Sequence, residues 1–508
     1  MTDNLYGRFR HRFLPHLARP FLESEDGRLY TYAKLEQTSG RYARRLHALG
    51  LCPGDRLVAQ VDKTPGAVFL YLACLRAGII YVPLNTAYQA AEVAYLVADS
   101  APKAVICRPS AHAVMAAAAA PQGIRQVLTL DAADGGTFAE GSEGLDPDYP
   151  EAAVTVNDVA ALLYTSGTTG HPKGAMMTHG HLWDKADALT RLWGWGPTDV
   201  LLHSMPIFHT HGLFLSMHCV LASGAGMLFQ PRFDADETVR LLPRCTVFTG
   251  APTMYTRMLA SPALDAEASR NMRLFISGSA PLAPQTFQVF RERTGHAILE
   301  CWGMTETLSN TSNPLWGERR PGSVGPPVPG VELRVTDGQG RAQPRGEAGV
   351  LEVRTARMFA GYWEQPEATR AAFRPDGFFI TGDLGRVDDD GVVTIVGRAN
   401  DLIISGGYNV YPKEVESVLA RIDGVADSAV VGIPHADFGE GVVAVVERQP
   451  GRGALTEAGI LDRLKGELAN FKVPKRVLFV DALPRDAIGK VQKQALRERY
   501  QDAFRPPR

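Results

Sequence analysis

Leu163-Tyr-Thr-Ser-Gly-Thr-Thr-Gly-His-Pro-Lys-Gly174 sets how the chain around it must fold. The apolar run ahead of it, residues 159–164, has the composition of a buried strand. That run empties into Thr165, Ser166, Gly167, Thr168, Thr169 and Gly170, with Lys173 just beyond. Glycines let a backbone curl until successive N–H groups point at one anion, and hydroxyls add donors without bulk. A lysine beside them supplies a point positive charge. The combination predicts a phosphate-binding loop, not a solvated turn. It is not a Walker A loop, because Pro172 precedes the lysine and Gly174 follows it, and the chain holds no Gly-x-Gly-x-x-Gly.

With 508 residues the chain exceeds one compact core, so two or three domains are expected. Apolar content of 45% and charged content of 21% are ordinary for a globular protein. The 53 basic residues against 55 acidic ones leave −2, with no long run of one sign, which argues against nucleic-acid and membrane partners. The 6 cysteines show no Cys-x-x-Cys spacing and read as reduced thiols. Neither an 18-residue apolar run nor a signal-like start is present, so a cytoplasmic location is expected, with organelle import as the weaker alternative.

Apolar periodicity predicts an α/β rhythm through the first part of the chain. Thr64-Pro65 opens a helix whose apolar positions recur until Gly78, followed by a strand over residues 79–84. A helix over 92–98, a strand over 104–107 and an exposed loop over 131–151 come next. Beyond the phosphate loop, residues 182–193 read as a helix, and 200–203, 247–249 and 274–277 as strands running into polar turns. Residues 331–335 and 350–353 are strands of a more β-rich section. A boundary is expected near residues 398–401, ahead of a unit of about 110 residues.

Residues 164–174 resemble the signature loop of the adenylate-forming enzymes, which include acyl- and aryl-CoA synthetases. Further matches follow in the family's order: Pro206-Ile-Phe-His-Thr-His-Gly212, Ser277-Gly-Ser-Ala-Pro281, Trp302-Gly-Met-Thr-Glu306, Thr381-Gly-Asp383, Gly397-Arg398, and Pro484-Arg-Asp-Ala-Ile-Gly-Lys490. The resemblance implies a large N-terminal AMP-binding domain, residues 1–399, of stacked α/β layers with a β-rich section. A smaller mobile α+β domain, residues 400–508, would follow, hinged at Asn400. Residues 165–170 and Lys173 would then hold the β- and γ-phosphates of ATP. Gly278, Ser279, Ala280, Pro281 and Trp302 would flank adenine, and Asp383 and Arg398 would clamp ribose. Thr305 would meet the α-phosphate, and Glu306 with Thr165 would hold Mg²⁺. Lys490 would bridge the α-phosphate and the acid, while Gly406 and Gly407 would lie along the pantetheine arm of coenzyme A. Trp302 stands where the family usually has tyrosine, which puts the edge contacts of adenine in question but not its stacking.

Several stretches, among them Thr311-Ser-Asn-Pro314, Gly317-Glu-Arg-Arg-Pro-Gly322 and Pro434-His-Ala-Asp-Phe-Gly-Glu-Gly441, resemble malonyl-CoA synthetases within that family. The resemblance implies ATP, Mg²⁺ and coenzyme A acting on a small dicarboxylate, malonate first and methylmalonate as a relative, with no obligate protein partner. His209 and His211 would face the acid, and Arg319 would grip its second carboxylate with a planar fork of donors. A medium-chain or aryl acyl-CoA synthetase is the alternative within the family, and a non-catalytic nucleotide-binding relative the alternative outside its chemistry.

Overall fold

A computed structural model describes residues 2–165, 172–405, 408–435, 438–449, 455–468, 470–486 and 489–505. Two large sheets, two smaller ones and the helices between them make up the described chain. The first large sheet has six strands, in the order 126–129, 104–107, 56–60, 80–83, 159–165, 173–178. Its strands run parallel up to Val159–Thr165, which then pairs antiparallel with Lys173–Thr178. The second has eight, and its parallel centre runs through Leu299–Met304, Leu274–Ser277, Val247–Gly250, Val200–His203 and Gly226–Phe229.

Between the two sheets runs the helix Pro65–Ala77, in which every residue is buried. An all-round apolar helix is stable only when surrounded, and this one sits within the largest apolar cluster. Its ends are those expected: the Thr64 hydroxyl accepts the Ala67 N–H, and Gly78 closes it at φ +70. Its one charged residue, Arg76, donates to the Tyr149 and Glu36 carbonyls and pairs with the Glu36 carboxylate.

The expected strands at 104–107, 200–203 and 274–277 stand as read, and the helix over 182–193 starts earlier, as His179–Leu192. The loop over 131–151 carries a short helix, Thr137–Glu140, that its Gly- and Asp-rich composition hid. The β-rich section is a four-stranded antiparallel sheet, Val331–Thr336, Gly349–Thr355, Phe379–Val387 and Val393–Arg398.

After Arg398 a 3₁₀ turn, Ala399–Asp401, leads to a separate five-stranded sheet. Side-chain alternation along its long strands fills two cores, one on each face. Val430, Val442, Ala444 and Val446 pack into one, and Ala429, Val431, Val443 and Val445 into the other. A large N-terminal domain and a small C-terminal domain are thus present. Among the described residues no helix is long and apolar enough to cross a membrane.

Candidate active site

The parallel strands of the eight-stranded sheet all end on one side, and open α/β sheets bind ligands outside the carboxyl ends of their strands. Three of those ends carry residues singled out above: His209 and His211 beyond Val200–His203, Gly278 to Pro281 beyond Leu274–Ser277, and Thr305 and Glu306 beyond Leu299–Met304.

Thr305, Glu306 and Thr307 form the tip of a hairpin between Leu299–Met304 and Leu308–Ser312. Leu308 takes the left-handed conformation, φ +57, that such short hairpins need, and Gly303 leaves room for the Leu308 carbonyl, 1.7 Å from where a Cβ would stand. The opposite wall comes from Phe379–Val387, and Trp302 joins the two. Its indole Nε1 donates to Asp383 Oδ2 at 2.8 Å, while Arg398 Nε lies 2.9 Å from Oδ1. The indole N–H is therefore spent on the carboxylate, and the ring itself is buried within the largest apolar cluster.

Glu306 is buried and accepts a hydrogen bond from the Tyr362 phenol, 2.8 Å from its Oε1. Burial pushes its carboxyl up; the phenol and the Arg398 charge pull it back, and Asp383 adds to the rise. The same Tyr362 ring lies beneath Lys173, whose Nζ is 5.2 Å from its centroid. Tyr362 was not anticipated from sequence. Its backbone explains its place: residues 360–363 run beside the lysine strand, with hydrogen bonds Ala360 N to Met176 O, Met176 N to Gly361 O and Trp363 N to Gly174 O. Phe359 N donates to the Glu306 carbonyl, so one short segment ties the lysine strand to the glutamate hairpin. The one sequence signal was the aromatic run Phe359-Ala-Gly-Tyr-Trp363.

The strand ahead of the loop expected to bind phosphate pairs antiparallel with the strand after it, so Lys173 begins a strand, and the Thr165 hydroxyl donates to the Lys173 carbonyl. Ser166, Gly167, Thr168, Thr169 and Gly170 lie outside the described residues, as do Gly406, Gly407 and the side chain of Asn400.

Across the cleft, the loop bearing Lys490 leans on the N-terminal domain: a Cβ on Gly489, φ +83, would lie 2.6 Å from Thr253 Oγ1. The loop is closed by Lys490 N to Asp486 Oδ1 and Asp486 N to Lys490 O, both 2.9 Å. Solvent reaches the lysine, yet the cleft walls thin the water around it and lower its pKa; the nearby Arg398 lowers it further, and Asp383, Asp486 and Asp401 oppose. His209 feels both Asp486 and Lys490, and burial pushes it down to about 4; His211 is pushed down to about 3. Both imidazoles are neutral near pH 7. A cavity of about 480 Å³ is bounded by Phe208, the chain neighbour of His209, with Met254, Arg257, Asp486 and Gly489 among others; neither imidazole lines it.

Arg319 requires a correction. Its guanidinium donates to three backbone carbonyls, of Pro314 (3.1 Å), Leu315 (2.8 Å) and Ala297. The fork expected to receive a second carboxylate instead latches the 314–319 loop to Ala297, just ahead of the strand Leu299–Met304. Arg320 is engaged at the surface by Asp388 and Asp390.

The model of the AMP-binding enzyme family matches residues 9–363, and that of its C-terminal domain matches residues 414–490. The chain belongs to the AMP-binding enzyme family. It is an ATP-dependent, adenylate-forming acyl-CoA ligase with coenzyme A as a substrate. A malonate–CoA ligase of Arabidopsis thaliana is 32% identical over 93% of this chain and 85% of its own length. A feruloyl-CoA synthase of an Amycolatopsis species is 34% identical over 97% of each. Ligases of quite different acids are therefore about equally similar. The ATP-bound structure of MatB from Rhodopseudomonas palustris is 48% identical, covers 99% of this chain and 100% of its own, and superposes with a TM-score of 0.97. The apo form of the same protein reaches 0.85. The two domains of this AMP-binding enzyme accordingly sit as they do in the ATP-bound form.

Among the described residues no cluster of three or more His, Cys, Asp or Glu could hold a metal by itself. Mg²⁺ at a nucleotide asks for less, one or two carboxylates with substrate phosphates completing its shell. Glu306, buried at the hairpin tip with its Oε1 steadied by Tyr362, is such a carboxylate, so the donor set fits.

Proposed function

We propose that this ligase converts malonate, with methylmalonate as a tolerated relative, to its coenzyme A thioester. The observation that carries the choice is the wall between Lys490 and residues 278–281, which is built from two neutral imidazoles, the buried His211 and the half-buried His209. A fatty chain there would have to cover polar ring nitrogens, whereas a short diacid gives them a partner. The similarity to malonate–CoA ligases supports the same choice. With Arg319 committed elsewhere, Arg257 on the wall of the neighbouring cavity is the cation placed to meet the second carboxylate.

In the first step a carboxylate oxygen attacks the α-phosphorus, the bond to the β-phosphate oxygen breaks, and pyrophosphate leaves. Two anions must meet, so positive charge has to be in place beforehand. Lys490 bridges the acid and the α-phosphate, and Thr305 donates to the latter. Lys173 and residues 165–170 hold the β- and γ-phosphates. Glu306, with Thr165, would hold Mg²⁺, which supplies charge neutralisation on the phosphate oxygens. Trp302 stacks on adenine against Gly278 to Pro281. Asp383 accepts from the ribose hydroxyls; a carboxylate has about four acceptor sites, so the bonds from Trp302 and Arg398 leave room. In the second step the thiol sulfur attacks the acyl carbon, AMP leaves with the bonding electrons and the thiol proton is released. Residues 400–508 turn about Asn400 between steps, exchanging Lys490 for Gly406 and Gly407. A cytoplasmic setting suits these soluble substrates.

The deciding experiment offers purified protein Mg-ATP, coenzyme A and a panel of malonate, methylmalonate, acetate, butyrate, octanoate and ferulate, scored by thioester formed. Malonate is expected to give the highest kcat/KM. Preference for octanoate or ferulate removes the dicarboxylate, and absence of any adenylate removes the activity.

A further inference from the structure

Ser279 stands in the middle of the turn assigned to adenine and holds φ +72, a left-handed conformation that glycine tolerates and serine does not favour. Such a residue persists only where its surroundings hold it. Here the holder is His211, whose Nδ1 lies 3.0 Å from Ser279 Oγ. The imidazole also fits against the turn's backbone. A Cβ on Gly278 would come 3.4 Å from His211 Cε1 and 3.2 Å from Cys301 Sγ. The histidine itself has little freedom. It opens a π-helical turn, His211–Ser216, a rare geometry that recurs at functional sites. Its carbonyl accepts from Ser216 Oγ at 2.9 Å, and that hydroxyl meets Thr249 Oγ1 at 2.7 Å. Gly212, next in the turn, accepts a hydrogen bond from His203 Nε2 on its carbonyl at 3.0 Å and passes too close to Pro206 O for any Cβ. On the other side, the His211 N–H donates to His209 Nδ1 at 3.3 Å.

One side chain thus touches both halves of the cleft: the wall that faces the acid and the turn that faces the nucleotide. We propose that His211 is a positioning residue for ATP, holding Ser279 in its strained conformation and so coupling the acid-binding wall to the adenine turn. The inference rests on the reading of residues 278–281 as the adenine site. The coupling is reciprocal, as any binding linkage must be: acid that orders the π-turn tightens ATP, and ATP tightens the acid.

Ser279→Gly supplies the test, because glycine adopts φ +72 without a brace. ATP binding is measured by calorimetry with Mg²⁺ and no acid, so that no turnover occurs. His211→Ala is expected to weaken ATP roughly five- to tenfold, the size of one neutral hydrogen bond. In the Ser279→Gly background the same change should weaken it by no more than about twofold, the signature of two coupled residues. His211→Asn, whose amide can reach the Nδ1 position, should recover most of the loss, which guards against a folding defect in the alanine variant. Equal losses in the two backgrounds, or an alanine variant that binds ATP like the parent, overturn the proposal. Gly278→Val, which crowds Cys301 and His211, distinguishes the two levels. If it leaves ATP affinity untouched the adenine reading itself fails, and if it weakens ATP while the histidine series shows no coupling, only the role of His211 fails.

Discussion

At the scale of single residues, Tyr362 combines two jobs that are usually separate. The phenol steadies one oxygen of a buried carboxylate, and the ring face carries the ammonium of Lys173. Tyr362→Phe deletes the first and keeps the second. A hydrogen bond to an ionised group is worth about 1.5–3 kcal/mol, or roughly ten- to a hundredfold. With Glu306 as the metal carboxylate, the Mg²⁺ concentration for half-maximal activity at saturating ATP should rise by that factor, with kcat at saturating Mg²⁺ much less affected. An unaltered Mg²⁺ titration would show that the bond does not serve the metal. Tyr362 was illegible because the carboxylate it serves lies 56 residues earlier. Arg319 was misread for the converse reason. Two arginines after a polar run look like an anion site, and only the folding back of the Pro314, Leu315 and Ala297 carbonyls shows that one of them is used up.

At the scale of elements, the run from Val200–His203 through the π-turn to the helix Met217–Ser223 carries three buried histidines, His203, His211 and His218, and the half-buried His209. Burial pushes His209 to about 4 and His211 and His218 to about 3, and His203 lies well below its ordinary value. Neighbouring cations add to this, Lys63 at His203 and Lys490 at His209, while Asp486 opposes at His209. In the unfolded chain each would titrate near 6.5. Between about pH 6.5 and 4 the unfolded chain therefore binds more protons, so stability is fully present above 6.5 and drains as pH falls, by up to about 1.4 kcal/mol per pH unit for each histidine. The thermal midpoint should drop steeply from pH 7 to 5, with hydrogen exchange across residues 203–218 accelerating first; a flat midpoint over that range would show that these rings are not held neutral. The elements themselves were largely legible. Thr64-Pro65 and Gly78 bracket a helix by local chemistry alone, and the strand over 104–107 is a short apolar run between turns. The hairpin around the phosphate loop was not, because nothing local marks Lys173–Thr178 as pairing back on Val159–Thr165.

At the scale of the whole molecule, Lys490 is bound to its own domain and only leans on the other. Lys493 pairs with Glu416 at 2.7 Å, and Arg485 with Asp427, all within the C-terminal domain. One contact of its loop with the N-terminal domain is a close approach of Gly489 to Thr253, and the chain between the two sheets is the short turn Ala399–Asp401. Order along the sequence revealed both domains but could not say which face of the smaller one meets the cleft, since that depends on packing between surfaces far apart in the chain. The arrangement suits adenylate formation, and the proposed second step needs the C-terminal domain to turn. A lock tests this. A Cβ on Gly489 would lie 3.3 Å from Thr253 Cβ, close to the spacing a disulfide spans. Thr253→Cys with Gly489→Cys, oxidised, should continue ATP–pyrophosphate exchange with malonate while thioester formation falls by roughly a hundredfold or more, the mark of a gated step. Reduction should restore it. If the cross-linked protein makes thioester as fast as the reduced one, both half-reactions run in the single arrangement seen here, and residues 406 and 407 are not delivered by rotation.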